Sequence, residues 1–260
     1  MVDARLLDEL AANATASTTV QLVDGWLLRA APGLPFRRAN ATLPLPGRSD
    51  PTLEIDERIG LVERFYRVRG LPPRFQLSPA SVPFDLDRRL ADRGYEVDAP
   101  VDIVVAGAQA VLASLEPNEL PMARVEGMID PDWVDAFAEV NGDTDDARTR
   151  KRLEAYARLL GSIGPRSATA VIELDGRPAA IGLGVLERNF VGLFGLATRS
   201  DARRRGAARA VLRALATWAI DEQATTLYLQ VETDNLPARA LFESVGFVRN
   251  HGYHYRVLSP

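Results

Sequence analysis

With 260 residues, 47% apolar and 25% charged, the chain can fill one large core or two ordinary ones, which excludes a disordered chain. A net charge of −4 argues against a general attraction to nucleic acid or an anionic membrane, and the absence of cysteine removes disulfides, thiol nucleophiles and thiolate metal sites. Two histidines, His251 and His254, cannot build a His-rich metal site, so no metal is expected, and without a signal-like leader or membrane-length apolar run the expectation is a cytoplasmic protein.

Residues 2–12 read as a short helix. Extended segments follow at Val20 to Ala30 and at Arg38 to Leu45, where Ala39, Ala41 and Leu43 alternate with polar residues until Pro44-Leu45-Pro46-Gly47 stops them. From Leu53 the spacing of Ile55, Ile59, Val62 and Tyr66 predicts a helix ended by Gly70. Arg74 to Leu77 reads as a strand, Phe84 to Arg93 as a helix closed by Gly94, and Val101 to Ala106 as a buried strand. Residues 107–121, ending in Glu116-Pro117-Asn118-Glu119-Leu120-Pro121, read as a linker, with domains expected at 1–118 and 119–260.

Beyond the linker, Ala123 to Met128 is extended and Pro131 to Val140 helical; a second helix from Ala147 to Leu160 carries Leu153, Tyr156, Ala157 and Leu160 on one face. Strands are expected at Ala168 to Leu174, Ala179 to Leu186 and Phe190 to Ala197, the first two joined by the hairpin signal Asp175-Gly176. A helix from Gly206 to Asp221 buries Val211, Leu212, Leu215 and Trp218. Strand Thr226 to Val231, helix Leu236 to Val245 and strands over Phe247 to Val257 complete the chain.

The chemistry lies in Phe194-Gly195-Leu196-Ala197-Thr198 followed by Arg203-Arg204-Arg205-Gly206-Ala207-Ala208 and the amphipathic helix. A strand feeding a small-residue turn that opens a helix offers free N–H groups at the positive end of the helix dipole, a seat for a pyrophosphate. On those six residues alone, a surface arginine cluster at an ordinary turn fits equally well.

Arg-x-x-Gly-x-Ala after a strand is joined about twenty-five residues later by Val231-Glu232-Thr233-Asp234-Asn235 and Ala238-Arg239-Ala240-Leu241-Phe242-Glu243-Ser244-Val245-Gly246-Phe247. This arrangement, over roughly residues 122–260, resembles the GNAT superfamily of N-acetyltransferases. The resemblance implies an α/β (α+β) fold: a mixed, mostly antiparallel sheet flanked by helices, with two splayed strands forming an acyl-CoA cleft. It implies acetyl-CoA as acyl donor. Backbone groups of Leu196, Ala197 and Thr198 would pair with pantetheine amides. Arg203, Arg204, Arg205, Gly206, Ala207 and Ala208 would form the pyrophosphate loop, and Asn235 would touch the donor from the next helix. The implied reaction is direct attack of a neutral amine on the thioester, with oriented N–H donors stabilising the oxyanion.

Where many relatives carry a proton-donating tyrosine, this chain has Phe242, which would still line the pantetheine site. Tyr253 and Tyr255 are candidate replacement acids, each equally readable as a half-buried strand aromatic. Glu232 and Glu187, at strand ends, are candidate bases, although an exposed glutamate is usually only solvated and a water chain can serve. The acceptor is expected to be a small-molecule or peptide amine, with no nucleic-acid or membrane partner, and the chain a monomer or homodimer. A non-catalytic acyl-CoA sensor is the alternative that Phe242 raises.

Setting Gly94-Tyr95 on Gly246-Phe247, an offset of 246 − 94 = 152, brings Arg74–Leu77 onto Thr226–Leu229 and the helix of Ile59 and Tyr66 onto that of Val211 and Trp218. Tandem GNAT-like folds are therefore expected. In the first, Pro51-Thr52-Leu53-Glu54-Ile55-Asp56 replaces the phosphate loop with carboxylates and Pro83 replaces Asn235, so it is not expected to bind CoA.

Overall fold

The computed structural model describes residues 1–34, 36–47, 52–115, 122–141 and 146–259. Two compact units emerge: residues 1–102 with 232–234 and 250–260, and residues 103–231 with 235–249.

The first unit opens on α1 (Ala4–Asn13), whose N-cap Asp3 accepts from Arg5 N. A hairpin of β1 (Thr19–Val23) and β2 (Trp26–Ala30) follows, and β3 (Leu43–Pro44) pairs antiparallel with β2. The single strand expected from Val20 to Ala30 is therefore two, turned at Asp24-Gly25. The strand expected from Arg38 is largely absent. Arg38–Asn40 is a 3-10 turn instead, held by the buried Asn40 side chain, which accepts from Ala31 N at 2.8 Å and donates to Leu34 O at 2.9 Å. Side-chain bonds to the local backbone outcompete a sheet ladder there.

Then come α2 (Ile55–Arg67), β4 (Arg74–Leu77), α3 (Leu86–Asp92) and β5 (Glu96–Gly107). Ile59, Val62 and Tyr66 of α2 pack on Trp26, Leu28, Phe75 and Leu90 to make the unit's core, with Trp26 edge-on to Phe75. The sheet of this unit runs β4, then β11 (Val248–Val257), then β5.

In the second unit, α4 (Ala108–Ser114) occupies the first part of the expected linker, since Ala108, Val111 and Leu115 share a buried helical face. The remainder of that linker, residues 116–121, lies outside the described residues. After β6 (Arg124–Glu126), α5 (Pro131–Val140) and α6 (Ala147–Leu160), strands β7 (Arg166–Leu174), β8 (Arg177–Glu187) and β9 (Phe190–Thr198) form an antiparallel meander. Helix α7 (Ala207–Asp221), strand β10 (Thr226–Glu232) and helix α8 (Leu236–Ser244) complete the unit, whose strand order is β5–β10–β9–β8–β7–β6. Small residues on β8 admit α7: a Cβ at Gly182 would stand 2.8 Å from both Leu196 Cδ2 and Val211 Cγ1.

Adding 152 carries α2 onto 207–219, β4 onto 226–229, α3 onto 238–244 and β5 onto 248–259, the places of α7, β10, α8 and β11. The fold is a tandem of GNAT-like α/β halves. The compact units nevertheless differ from a cut at 118/119, because the halves exchange their last strands. In the first unit β4 pairs antiparallel with β11 of the second half, Arg74 opposite Val257. In the second unit β10 neighbours β5 of the first half. Among the described residues no helix is long and apolar enough to cross a membrane.

Candidate functional site

The geometry of the second unit begins with two strands that part. β9 and β10 are parallel and in register from Phe190 opposite Thr226 to Leu193 opposite Leu229, where the pairing ends although both strands continue. On its other edge β9 carries one extra residue: Leu183 faces Phe194, but Ile181 faces Ala197. Gly195 sits in this bulge at φ +56°, a left-handed conformation costly to a residue with a Cβ. A bulge kinks its strand, and this one falls just where β9 and β10 separate.

Beyond β9 the chain turns through Ser200–Ala202 into α7. Arg199 fixes the turn: nine-tenths buried, it donates from Nη1 to Pro178 O and from Nε to Asp201, both at 2.6 Å. The Arg199 guanidinium holds the Asp201 carboxyl below the usual range. Gly206 is the N-cap at φ +82°, and no side chain caps the helix. The first ladder bond is Ala210 N to Gly206 O. The N–H groups of Ala207, Ala208 and Arg209 therefore have no intrahelical acceptor, and they lie at the positive pole of a helix of 15 residues.

Strand ends and helix start enclose a cleft of about 830 Å³. Of the residues singled out in the sequence for the acyl donor, Leu196, Ala197, Thr198, Arg203, Arg204, Gly206, Ala207, Ala208, Asn235 and Phe242 all line it. Arg205 does not, because its guanidinium turns to Asp175 at 3.0 Å. Arg203 and Arg204 are exposed and have no ion-pair partner among the described residues. Asn235 Oδ1 accepts from Ala238 N and so caps α8. Phe242 is buried against Phe247, ring edge to ring face.

None of the candidate acids and bases lines this cleft. Tyr253 and Tyr255 are core residues of the first unit, 5% and 2% exposed, stacked edge to face at 5.5 Å. Burial pushes both phenols up, which makes them poorer proton donors. Glu232 is exposed and pairs with Arg37 at 3.2 Å, beside the Arg37–Asp98 pair. Glu187 ends β8 and is absent from the lining.

Sequence reasoning missed Val140 and Asn141, which line the cleft from the end of α5, and Arg199. An arginine directly after a strand was the available signal for the last. The first two carried none, since a helix C-terminus does not reveal what it faces.

Over residues 2–256 the chain matches the family described as "Probable histone acetyltransferase Rv0428c C-terminal". A Bacillus subtilis protein, the uncharacterized N-acetyltransferase YobR, is 26% identical over 257 residues, 99% of each chain. A GCN5-related N-acetyltransferase from Kribbella flavida shares the fold with a TM-score of 0.65 at 12% identity, over 98% of this chain and 93% of that one. A tandem GNAT protein from the clavulanic acid biosynthesis pathway gives 0.65 at 14% identity, over 90% of this chain and 79% of that one. With a family match running almost from end to end and a tandem fold that houses the cleft, the chain belongs to the Rv0428c C-terminal family and is an acyltransferase of the GNAT type.

Proposed function

We propose that the chain moves an acetyl group from acetyl-CoA to a primary amine by direct attack. The observation that carries this reading is the uncapped start of α7, with Gly206 in the left-handed region and three amides free, beside the point where β9 leaves β10. The fit is chemical as well as steric. Arg203 and Arg204 supply cations at the mouth for phosphates, while Leu196, Val211, Leu212, Leu241 and Phe242 supply an apolar wall for pantetheine. A volume of about 830 Å³ is in the range of small-molecule and cofactor sites.

In this reading the amides of Ala207 and Ala208 hold the pyrophosphate. Strand-edge amides of Leu196 to Thr198, released from β10, fix the pantetheine and the thioester oxygen. Asn235 borders the donor from the start of α8. The amine lone pair forms the N–C bond, the C–S bond breaks, and the amine's proton passes to water. Phe242 offers the thiolate no proton. A thiol of pKa about 8.5 is acidic enough to leave as thiolate near neutral pH, so positioning and oxyanion stabilisation outweigh protonation.

The test is thiol release from acetyl-CoA across small-molecule amines and peptides with free N-termini. At least one class is expected to turn over well above hydrolysis. Tight acetyl-CoA binding with no transfer to any amine would sink the amine-acceptor reading.

A further inference from the structure

Two arginines of the first unit lack the partner that a buried cation needs. Arg29, on β2, is 3% exposed, and Arg74, opening β4, is half-buried. The Nε of each is sealed from solvent without a hydrogen-bond acceptor. Neither guanidinium has an ion pair among the described residues.

The backbones of both residues border one phenol. Tyr66 Oη donates to Arg29 O at 3.0 Å and lies 3.3 Å from Thr42 Oγ1, and Thr42 N donates to Arg74 O at 2.8 Å. The groups bearing most strongly on Arg29 are Tyr66, Tyr255, Arg38 and Tyr253, with no carboxylate among them. Arg38, Arg29 and Arg74 in turn all bear on Tyr255. The Asp8 carboxylate, which bears on Tyr253, is engaged by Ser78 Oγ and lies 3.5 Å from His251.

A buried lysine could shed its proton, but a guanidinium stays charged. Burial without a counter-charge is strongly unfavourable, so a native fold that keeps such a cation in its core needs an anion from outside. Arg38 and Arg74 are half-buried, and through them the cluster reaches the surface.

We propose that Arg29 and Arg74, with Arg38 and the phenols of Tyr253 and Tyr255 around them, form a binding site in the first unit for the oxyanion of a small molecule, a carboxylate or a phosphate. The site shares no residue with the cleft of the second unit. The planar guanidinium fork suits either group.

Thermal unfolding of the full chain at constant ionic strength tests the proposal, with sodium acetate, succinate or inorganic phosphate replacing chloride. A ligand bound only by the native state raises the midpoint saturably. A response to acetate or succinate assigns a carboxylate site, and a response to phosphate alone assigns a phosphoryl site. Because phosphate can also reach the start of α7, the readout is the difference between wild type and Arg29→Met. That variant is expected to melt no lower than wild type in chloride, since it removes an unpaired buried charge, and to bind the responding anion at least tenfold more weakly. Arg74→Gln keeps the core charge and is expected to weaken binding severalfold; it decides the matter if Arg29→Met fails to fold. No oxyanion outperforming chloride, or a full response surviving substitution, overturns the site.

Discussion

The start of α2 and the start of α7 occupy equivalent places in the two halves, 152 residues apart, and treat the same physical problem in opposite ways. At α2 the exposed amides are answered from within. Asp24 Oδ2 accepts from Thr52 N and Leu53 N, both at 3.0 Å, and Glu57 accepts from Glu54 N at 3.1 Å. Arg58 then stands 3.8 Å from Asp24. At α7 no described residue answers them: the cap is a glycine, and the neighbouring cations Arg203 and Arg204 are unpaired among the described residues. A helix end that carries its own carboxylates repels a phosphate, whereas one left open at its positive pole attracts it. On the proposed function, this difference separates the half that would hold acyl-CoA from the half that would not.

The comparison breaks most sharply at Gly206. Gly206→Glu forces a side chain into the left-handed region and puts a carboxylate against the amides, imitating the first half. Acetyl-CoA affinity by calorimetry is expected to fall a hundredfold or more while the circular dichroism spectrum holds. Next is Phe242→Tyr. General-acid catalysis typically contributes about a hundredfold or more; a gain in turnover approaching that size, with unchanged acetyl-CoA affinity, is expected if the new hydroxyl reaches the leaving sulfur. No gain would mean either that the new hydroxyl does not reach the sulfur or that departure needs no acid.

Smaller effects bear on stability. Gly182 has Ala30 as its equivalent, since 182 − 152 = 30, so only the second half demands a glycine beneath its long helix. Gly182→Val drives carbon into Leu196 and Val211, and overpacking of this kind costs about 1–3 kcal/mol; chemical denaturation measures it. Asp24→Ala removes the acceptor of Thr52 N and Leu53 N and the anion beside Arg58, at a cost of about 1–3 kcal/mol, and is expected to leave acetyl-CoA binding untouched, because the loss of one anion does not supply the open loop and glycine of α7.

Much of this was legible in the sequence. Amphipathic periods located α2, α5, α6 and α7 within two residues, because one-sided burial writes its own spacing. The cleft-lining residues were readable for the same local reason: a strand, a small-residue turn and a helix start are contiguous, so the loop's chemistry and position come together. The hairpin at Asp175-Gly176 was found, yet Asp24-Gly25, the same dipeptide at the equivalent turn, was absorbed into one long strand because apolar residues flank it on both sides. What resisted was non-local. Nothing in the alternation of β11 says that it pairs with β4 of the other half, so Tyr253 and Tyr255 were offered as acids for a cleft they do not line. Likewise Glu232, at the end of β10, gives no sign in sequence that Arg37 will hold it.

The central claim is that, of the two equivalent helix starts, only that of α7 is left open, so that the tandem has one acyl-CoA site. Calorimetric titration of the full-length chain with acetyl-CoA tests it directly. One site per chain is predicted; two sites of comparable affinity would contradict the account, because the carboxylates at α2 would then fail to exclude what the amides at α7 are left open to receive.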